Sequence, residues 1–177
     1  MKTARAILLC LLMSAQPAYA VPTFQDAFSP DRGATDLVIK TIGEAKKSIR
    51  VAAYAFTSYP IAEALVAAHA RNVDVEVVMD ESNRSHAYSV LSYLTRAGVP
   101  TRTNDHYAIM HNKFIIIDGS TLELGSFNFT KAAEEKNAEN ILVIKDVPQI
   151  AADYTKQWQR IWDEGAHPIS KEARGER

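Results

Sequence analysis

One cysteine, Cys10, is all that the 177 residues contain, so no intramolecular disulfide can form. Charge of neither sign dominates, since 20 Lys and Arg face 21 Asp and Glu. That balance counts against a protein that coats nucleic acid by bulk charge, but not against an enzyme with a local basic groove. Repeats and low-complexity tracts are absent, and no pair of histidines has the spacing of a zinc site. Neither a metal nor a cofactor is expected.

The start of the chain has the pattern of a leader. Lys2 and Arg5 precede a short apolar stretch, Ala6 to Met13, and Ala18-Tyr19-Ala20 has the A-x-A form of a cleavage site. Residues 1–20 are read as a signal peptide and the protein as exported, periplasmic or secreted. The competing reading is a retained anchor, for which the stretch is too short. Leu9 before Cys10 argues against lipid attachment there. Cleavage would leave 157 residues without cysteine, carrying 18 basic and 21 acidic side chains. That is enough for one domain with a proper core. The domain is assigned to residues 21–169 and a polar tail to 170–177, with no membrane insertion once the leader is gone.

Strand and helix patterns alternate along this domain. Helices are expected over 34–47, 61–70, 89–97 and 147–162, closed by Asn72 after the second and Gly98 after the third. Ile150, Tyr154, Trp158, Ile161 and Trp162 form the inner side of the last. Strands are expected over 49–56, 73–79, 100–103, 109–117, 121–125 and 140–145. The loop 80–88 carries Arg84 and His86. The alternation predicts an α/β fold with a mixed sheet covered by helices on both faces.

The most specific feature is H-x-K-x4-D-x6-G-S-x-N, formed by His111, Lys113, Asp118, Gly125, Ser126 and Asn128. At roughly 5% background frequency per position, chance supplies on the order of one match per million chains of this size. Phe114 to Ile117 reads as a buried strand, and alternation turns His111 and Lys113 to one side. If residues 125–128 are extended, Ser126 and Asn128 share a face too. An imidazole, an ammonium, a hydroxyl and a carboxamide then form one surface. That set can grip a phosphodiester and leave the imidazole free to attack. It holds no carboxylate cluster of the kind that binds magnesium or calcium.

This motif resembles the HKD signature of the phospholipase D superfamily, whose members are phosphodiesterases acting on lipids or nucleic acids. The nearer likeness is to small exported bacterial endonucleases of the Nuc type. It is carried also by Ser48-Ile49-Arg50, Tyr54-Ala55-Phe56-Thr57, Val73-Asp74-Val75, the run Gly125 to Glu134, and Lys136 to Asn140. It covers about residues 24–165 and implies the phospholipase D-like fold, a mixed sheet flanked by helices. It also implies that His111 attacks phosphorus and forms a phosphohistidine, which a neutral imidazole can do near pH 7.

Lys113 is expected to neutralise a non-bridging phosphate oxygen, with Asn128 as a second phosphate contact. Ser126 could touch phosphate, hold the loop or bond His111. Gly125 serves either a turn or a close backbone approach. Asp118 lies about 23 Å along the strand from His111, on the opposite face, and reads as structural. The resemblance implies that Glu139 bonds the nucleophilic histidine and fixes its tautomer. Glu123 is the rival carboxylate, but strand parity turns it away from Ser126 and Asn128. Arg84 and Arg102 are candidate contacts to flanking phosphates, and His86 or His106 could line the groove.

The chemistry needs two imidazoles, one to attack and one, protonated, to release the departing oxygen. One signature per chain therefore implies a homodimer with a composite site on its two-fold axis. The expected function is metal-independent, non-specific cleavage of DNA, extending to RNA. The alternatives are a phospholipase D-type lipid hydrolase and a non-catalytic module that binds nucleic acid.

Overall fold

A computed structural model describes residues 20–167, so residues 1–19 of the expected leader, with Cys10, and the polar tail lie outside the described residues. Seven strands form one mixed sheet: β1 (Thr23–Ser29), β2 (Ser48–Ala53), β3 (Asp74–Asp80), β4 (Thr101–Asn104), β5 (Lys113–Ile117), β6 (Thr121–Gly125) and β7 (Glu139–Lys145). Their order is β1-β7-β6-β5-β2-β3-β4. The pairs β2–β3 and β3–β4 are parallel, and the rest of the sheet is antiparallel. The helices are α1 (Ala34–Glu44), α2 (Tyr59–Ala70), α3 (Leu91–Arg96), α4 (Lys131–Glu135) and α5 (Pro148–Glu164), with a 3-10 turn over Glu81–Arg84. This is the expected α/β class, with helices on both faces.

Strand parity builds two cores. Ile49, Val51, Val75, Val77, Ile115 and Ile117 pack under α1, α2 and α3 with Val38, Ile42, Ile61 and Leu65. Ala52, Val78, Phe114, Ile116 and Leu122 face α5, where Trp158, Ile161 and Trp162 cover them. The two tryptophans stack at 5.1 Å, and Trp158 Nε1 donates to the Val51 carbonyl at 2.9 Å. Burial of this size drives the fold.

The helix α5 packs on β2, β4, β5 and β6. Beyond it the same sheet face continues across β7 and β1. There Phe24 stands opposite Ile144, and Leu142 opposite Leu124. Phe24 is 65% exposed and Phe28 48%.

Several expectations are corrected. The strand expected over 109–117 begins only at Lys113, and the one expected over 49–56 ends at Ala53. Past Ala53 the Tyr54 carbonyl and Phe56 N turn to the Asn83 side chain, and before Lys113 the Met110 N–H turns to the Asp80 carboxylate, so neither stretch continues the ladder. Ile150 is 47% exposed, and Ala151 takes the inward position instead. Helix α5 starts at Pro148, and Trp158, Ile161 and Trp162 lie inward as expected, with Tyr154 packed against them. The short elements β1 and α4 had no predicted counterpart. As expected, Asn72 (φ 65°) and Gly98 (φ 82°) close α2 and α3 in the left-handed region.

Asp118 ends β5 at the edge opposite the His111 segment. Its carboxylate accepts from the backbone N–H groups of Lys46, Lys47 and Ser48 at 2.9, 2.7 and 2.9 Å. Partial burial works against its ionisation, but these bonds and the Lys47 charge outweigh it and hold the pKa below the usual carboxylate range. The stabilisation is therefore present above the ordinary aspartate pKa and lost as pH falls through the depressed one. Asp118→Asn should lower stability by about 1 kcal/mol at pH 7, a figure discounted for solvent screening. In denaturant titrations that gap should stay constant above pH 5 and close in stronger acid.

Candidate active site

The pocket that gathers the motif sits where β5 begins and β6 ends. It encloses about 320 Å³ and is lined by His111, Lys113, Gly125 and Ser126, with Asn112, Phe114, Leu124 and Tyr154. One wall is polar. The other is apolar, with the Phe114 and Tyr154 rings meeting edge to face at 5.0 Å.

His111 belongs to no strand and is exposed. Its ring packs on Tyr54 at 4.6 Å between centroids. Lys113 Nζ stands 5.1 Å from the same tyrosine ring and donates to the His111 carbonyl at 2.8 Å. Burial lowers the Lys113 pKa, and the charge of Glu139 opposes that shift. Imidazole and ammonium thus share one aromatic platform. Nothing in the spacing of Tyr54 shows that the loop of residues 105–112 returns to it.

Gly125 answers to close approach rather than to a turn. A Cβ there would lie 2.1 Å from the Asn140 carbonyl oxygen and 2.9 Å from the Ile141 Cα. This contact brings Ser126 onto β7. Ser126 Oγ donates to Glu139 Oε2 at 2.6 Å and accepts from Asn140 N at 3.1 Å. Of the three roles left open for Ser126, holding the loop is the one this structure displays.

Glu139 does not bond His111 here. Its carboxylate accepts from Ser126 and, at 3.1 Å, from the Asn137 side chain. The reason is register, since Gly125 pairs with Ile141 and so sets Ser126 beside the first residues of β7. Asn128 is half-buried and does not line the pocket, and its Oδ1 is buried without a hydrogen-bond partner.

Arg84 and Arg102 are not brought to the pocket. Arg84 Nε donates to Glu81 at 2.8 Å and Thr103 at 2.7 Å, tying the 3-10 turn to β4. Arg102 donates to the Trp162 carbonyl at 2.7 Å and lies over that indole at 4.5 Å. Both guanidinium groups are held by their own chain rather than presented to a phosphate. His86 and His106 pack on Tyr88 and Tyr107, outside the pocket lining.

Glu123 stands opposite Ile115 and Val143 on its neighbouring strands, turned from the pocket as parity requires. It is 1% exposed, its Oε2 lacks a partner, and burial raises its pKa to about 8. It is a protonated acid in the core at neutral pH. Among the described residues no group of acidic, histidine or cysteine side chains could hold a metal ion, and no helix is long and apolar enough to cross a membrane.

Comparison with known proteins fits this geometry. Residues 38–162 match the family model described as "Cardiolipin synthase, PLD-like domain". The chain belongs to the phospholipase D superfamily, a superfamily of phosphodiester hydrolases. Its fold is similar to that of Nuc from Salmonella typhimurium, a phospholipase D family member. The identity is 44% and the TM-score 0.80, over 82% of this chain and 97% of that one. A phospholipase D of Rickettsia conorii is 39% identical over 131 residues, 74% of this chain and 65% of that protein. A mitochondrial cardiolipin hydrolase of Xenopus laevis is 34% identical over 134 residues, 76% of this chain and 63% of that protein. The chain therefore spans about two thirds of the length of these two relatives.

Two outcomes test this account of the site. Gly125→Ala should lower stability by about 1–3 kcal/mol in chemical unfolding, because the added methyl meets backbone and not a mobile side chain. Glu123→Gln should stabilise the protein at pH 8 by a few kcal/mol. A raised folded pKa means stability is fully present below the unfolded pKa of 4.5 and is lost as pH rises toward about 8. Melting curves should therefore show the variant's advantage shrinking to nothing near pH 4.

Proposed function

We propose that the protein is a metal-independent phosphodiesterase that cleaves DNA, with RNA as a second substrate, through a phosphohistidine on His111. The observation that carries this reading is the convergence of His111 and Lys113 on one aromatic platform at the mouth of a pocket. An exposed imidazole can attack phosphorus directly, and the adjacent ammonium can neutralise charge on a non-bridging oxygen. Water then attacks the phosphohistidine from the far side. Two displacements give retention at phosphorus, and no step calls for a metal. Support for a nucleic acid substrate comes from the likeness to Nuc-type endonucleases and from the Nuc match, which spans nearly all of that chain. A site built around phosphate reads backbone rather than base sequence.

The departing oxygen needs a proton, and each chain brings one signature histidine. We infer a homodimer whose composite pocket brings together two copies of His111 and Lys113. The sheet face over β7 and β1 supports this, because Phe24, Leu142 and Ile144, beside the polar Asp26 and Asn140, continue from Leu124, which itself lines the pocket. An exported, periplasmic or secreted location follows from the leader pattern and from the Nuc-type likeness.

A lipid substrate is the second reading. It is favoured by the apolar wall of Phe114, Leu124 and Tyr154 and by the named relatives that are a phospholipase D and a cardiolipin hydrolase.

The experiment is plasmid digestion by the purified protein in excess EDTA. Wild type should nick and degrade the DNA, and His111→Ala should lose at least about a thousand-fold in rate. Specific activity should fall on dilution as the dimer dissociates. Loss of activity in EDTA overturns the metal-independent mechanism, and full activity in a monomer overturns the composite site. Release of headgroup from phosphatidylcholine vesicles, with DNA untouched, would move the assignment to lipid.

A further inference from the structure

The residue proposed to attack is carried on a segment that has no strand of its own, so something else must fix it. Both residues flanking His111 are clamped through their backbone. On one side, Met110 N donates to Asp80 Oδ2 at 2.7 Å. On the other, Tyr54 N donates to the Asn112 carbonyl at 2.9 Å. Both clamps lead back to the 3-10 turn after β3. The second carboxylate oxygen of Asp80 accepts from Ser82 N at 3.0 Å and Ser82 Oγ at 2.5 Å, which shapes that turn. Asn83, the next residue, donates from Nδ2 to the Tyr54 carbonyl at 2.6 Å and the Asp80 carbonyl at 3.0 Å. Its Oδ1 accepts from Phe56 N at 3.2 Å. Asp80 is 5% exposed and Asn83 4%.

A turn alone does not require a buried carboxylate. Serine, threonine or asparagine can accept the same backbone N–H. Only a side chain with two acceptor oxygens can close the turn with one and hold Met110 with the other. A buried charge left short of donors is costly, and here three donors satisfy it. Asn83 likewise uses both ends of its amide on the strand exit that carries Tyr54. The same two side chains therefore govern the backbone under His111 and the ring beneath it, and Lys113 is tied to both through the His111 carbonyl and the Tyr54 face.

We propose that Asp80 and Asn83 are positioning residues that hold His111, Tyr54 and Lys113 in a fixed mutual geometry. As a statement about catalysis it rests on the reading of His111 as nucleophile. As a statement about geometry it stands without it. The brace acts on orientation and not on substrate contact, so its loss should appear in turnover and not in binding.

Asp80→Asn tests this, because asparagine has one acceptor oxygen and can satisfy the turn or Met110 but not both. The probe is bis(p-nitrophenyl) phosphate, a phosphodiester that is neither nucleic acid nor lipid. In the full chain, kcat should fall about 10- to 100-fold with KM within about two-fold of wild type. In protein carrying carbon-13 histidine, the His111 ring signals, assigned by their absence in His111→Asn, should move toward those of a histidine packed on no aromatic ring as the Tyr54 ring current is lost. A cooperatively folded Asp80→Asn with wild-type kcat and unmoved His111 signals overturns the proposal. If Asp80→Asn does not fold, Asn83→Ala is judged by the same two readings. If wild type hydrolyses neither the probe nor DNA, the functional reading fails, and the histidine signals alone decide the brace.

Discussion

The site depends on one close approach. At Gly125 the backbone of β6 comes so near β7 that a single added carbon would overlap the Asn140 carbonyl. Because the strands meet there, Ser126 reaches Glu139 and Asn140 instead of swinging into solvent. Glu139 is thereby set near enough to Lys113 for its charge to counter the effect of burial on that ammonium. The β6–β7 seam thus fixes the Ser126 side of the pocket, and β5, paired to β6 on its other side, delivers Lys113 and Phe114 to the same lining. A glycine without a side chain decides where Ser126 and Glu139 stand.

Three carboxylates show why composition could not assign roles. Asp118, Glu123 and Asp80 are each one of 21 acids in a nearly neutral chain. Asp118 meets three backbone donors at a half-open edge and stays ionised. Glu123 meets none for its Oε2 inside the sheet and keeps its proton. Asp80 is nearly as buried as Glu123 but finds Ser82 and Met110. Burial and local hydrogen-bond supply together set the opposite shifts of Glu123 and Asp118.

Much of the fold was legible because it follows alternation and helical spacing. The mixed sheet, its two helix layers, and Asn72 and Gly98 at helix ends are all written in short-range pattern. The strand β1 was not, because it lies at the sheet edge, where exposure of Phe24 and Phe28 removes the usual contrast between faces. Ile150 was misplaced for a related reason. Helix α5 begins at Pro148, and small Ala151, which carries little apolar signal, lies inward.

The site divided along the same line. The motif was readable because its residues lie within one short stretch of chain, on two adjacent strands, the turn that joins them and the segments just outside. Its supports were not, because they come from distant parts of the chain. Tyr54 reaches His111 across 57 positions, and Asp80 reaches Met110 across 30. Arginines are misread for the converse reason. Arg84 and Arg102 suit phosphate by chemistry, yet Thr103 and the Trp162 carbonyl take them first, through contacts between β4, the 3-10 turn and α5 that no local pattern encodes. A short motif specifies what can react. Long-range hydrogen bonds decide how firmly it is held, and those bonds converge here on one turn at the end of β3.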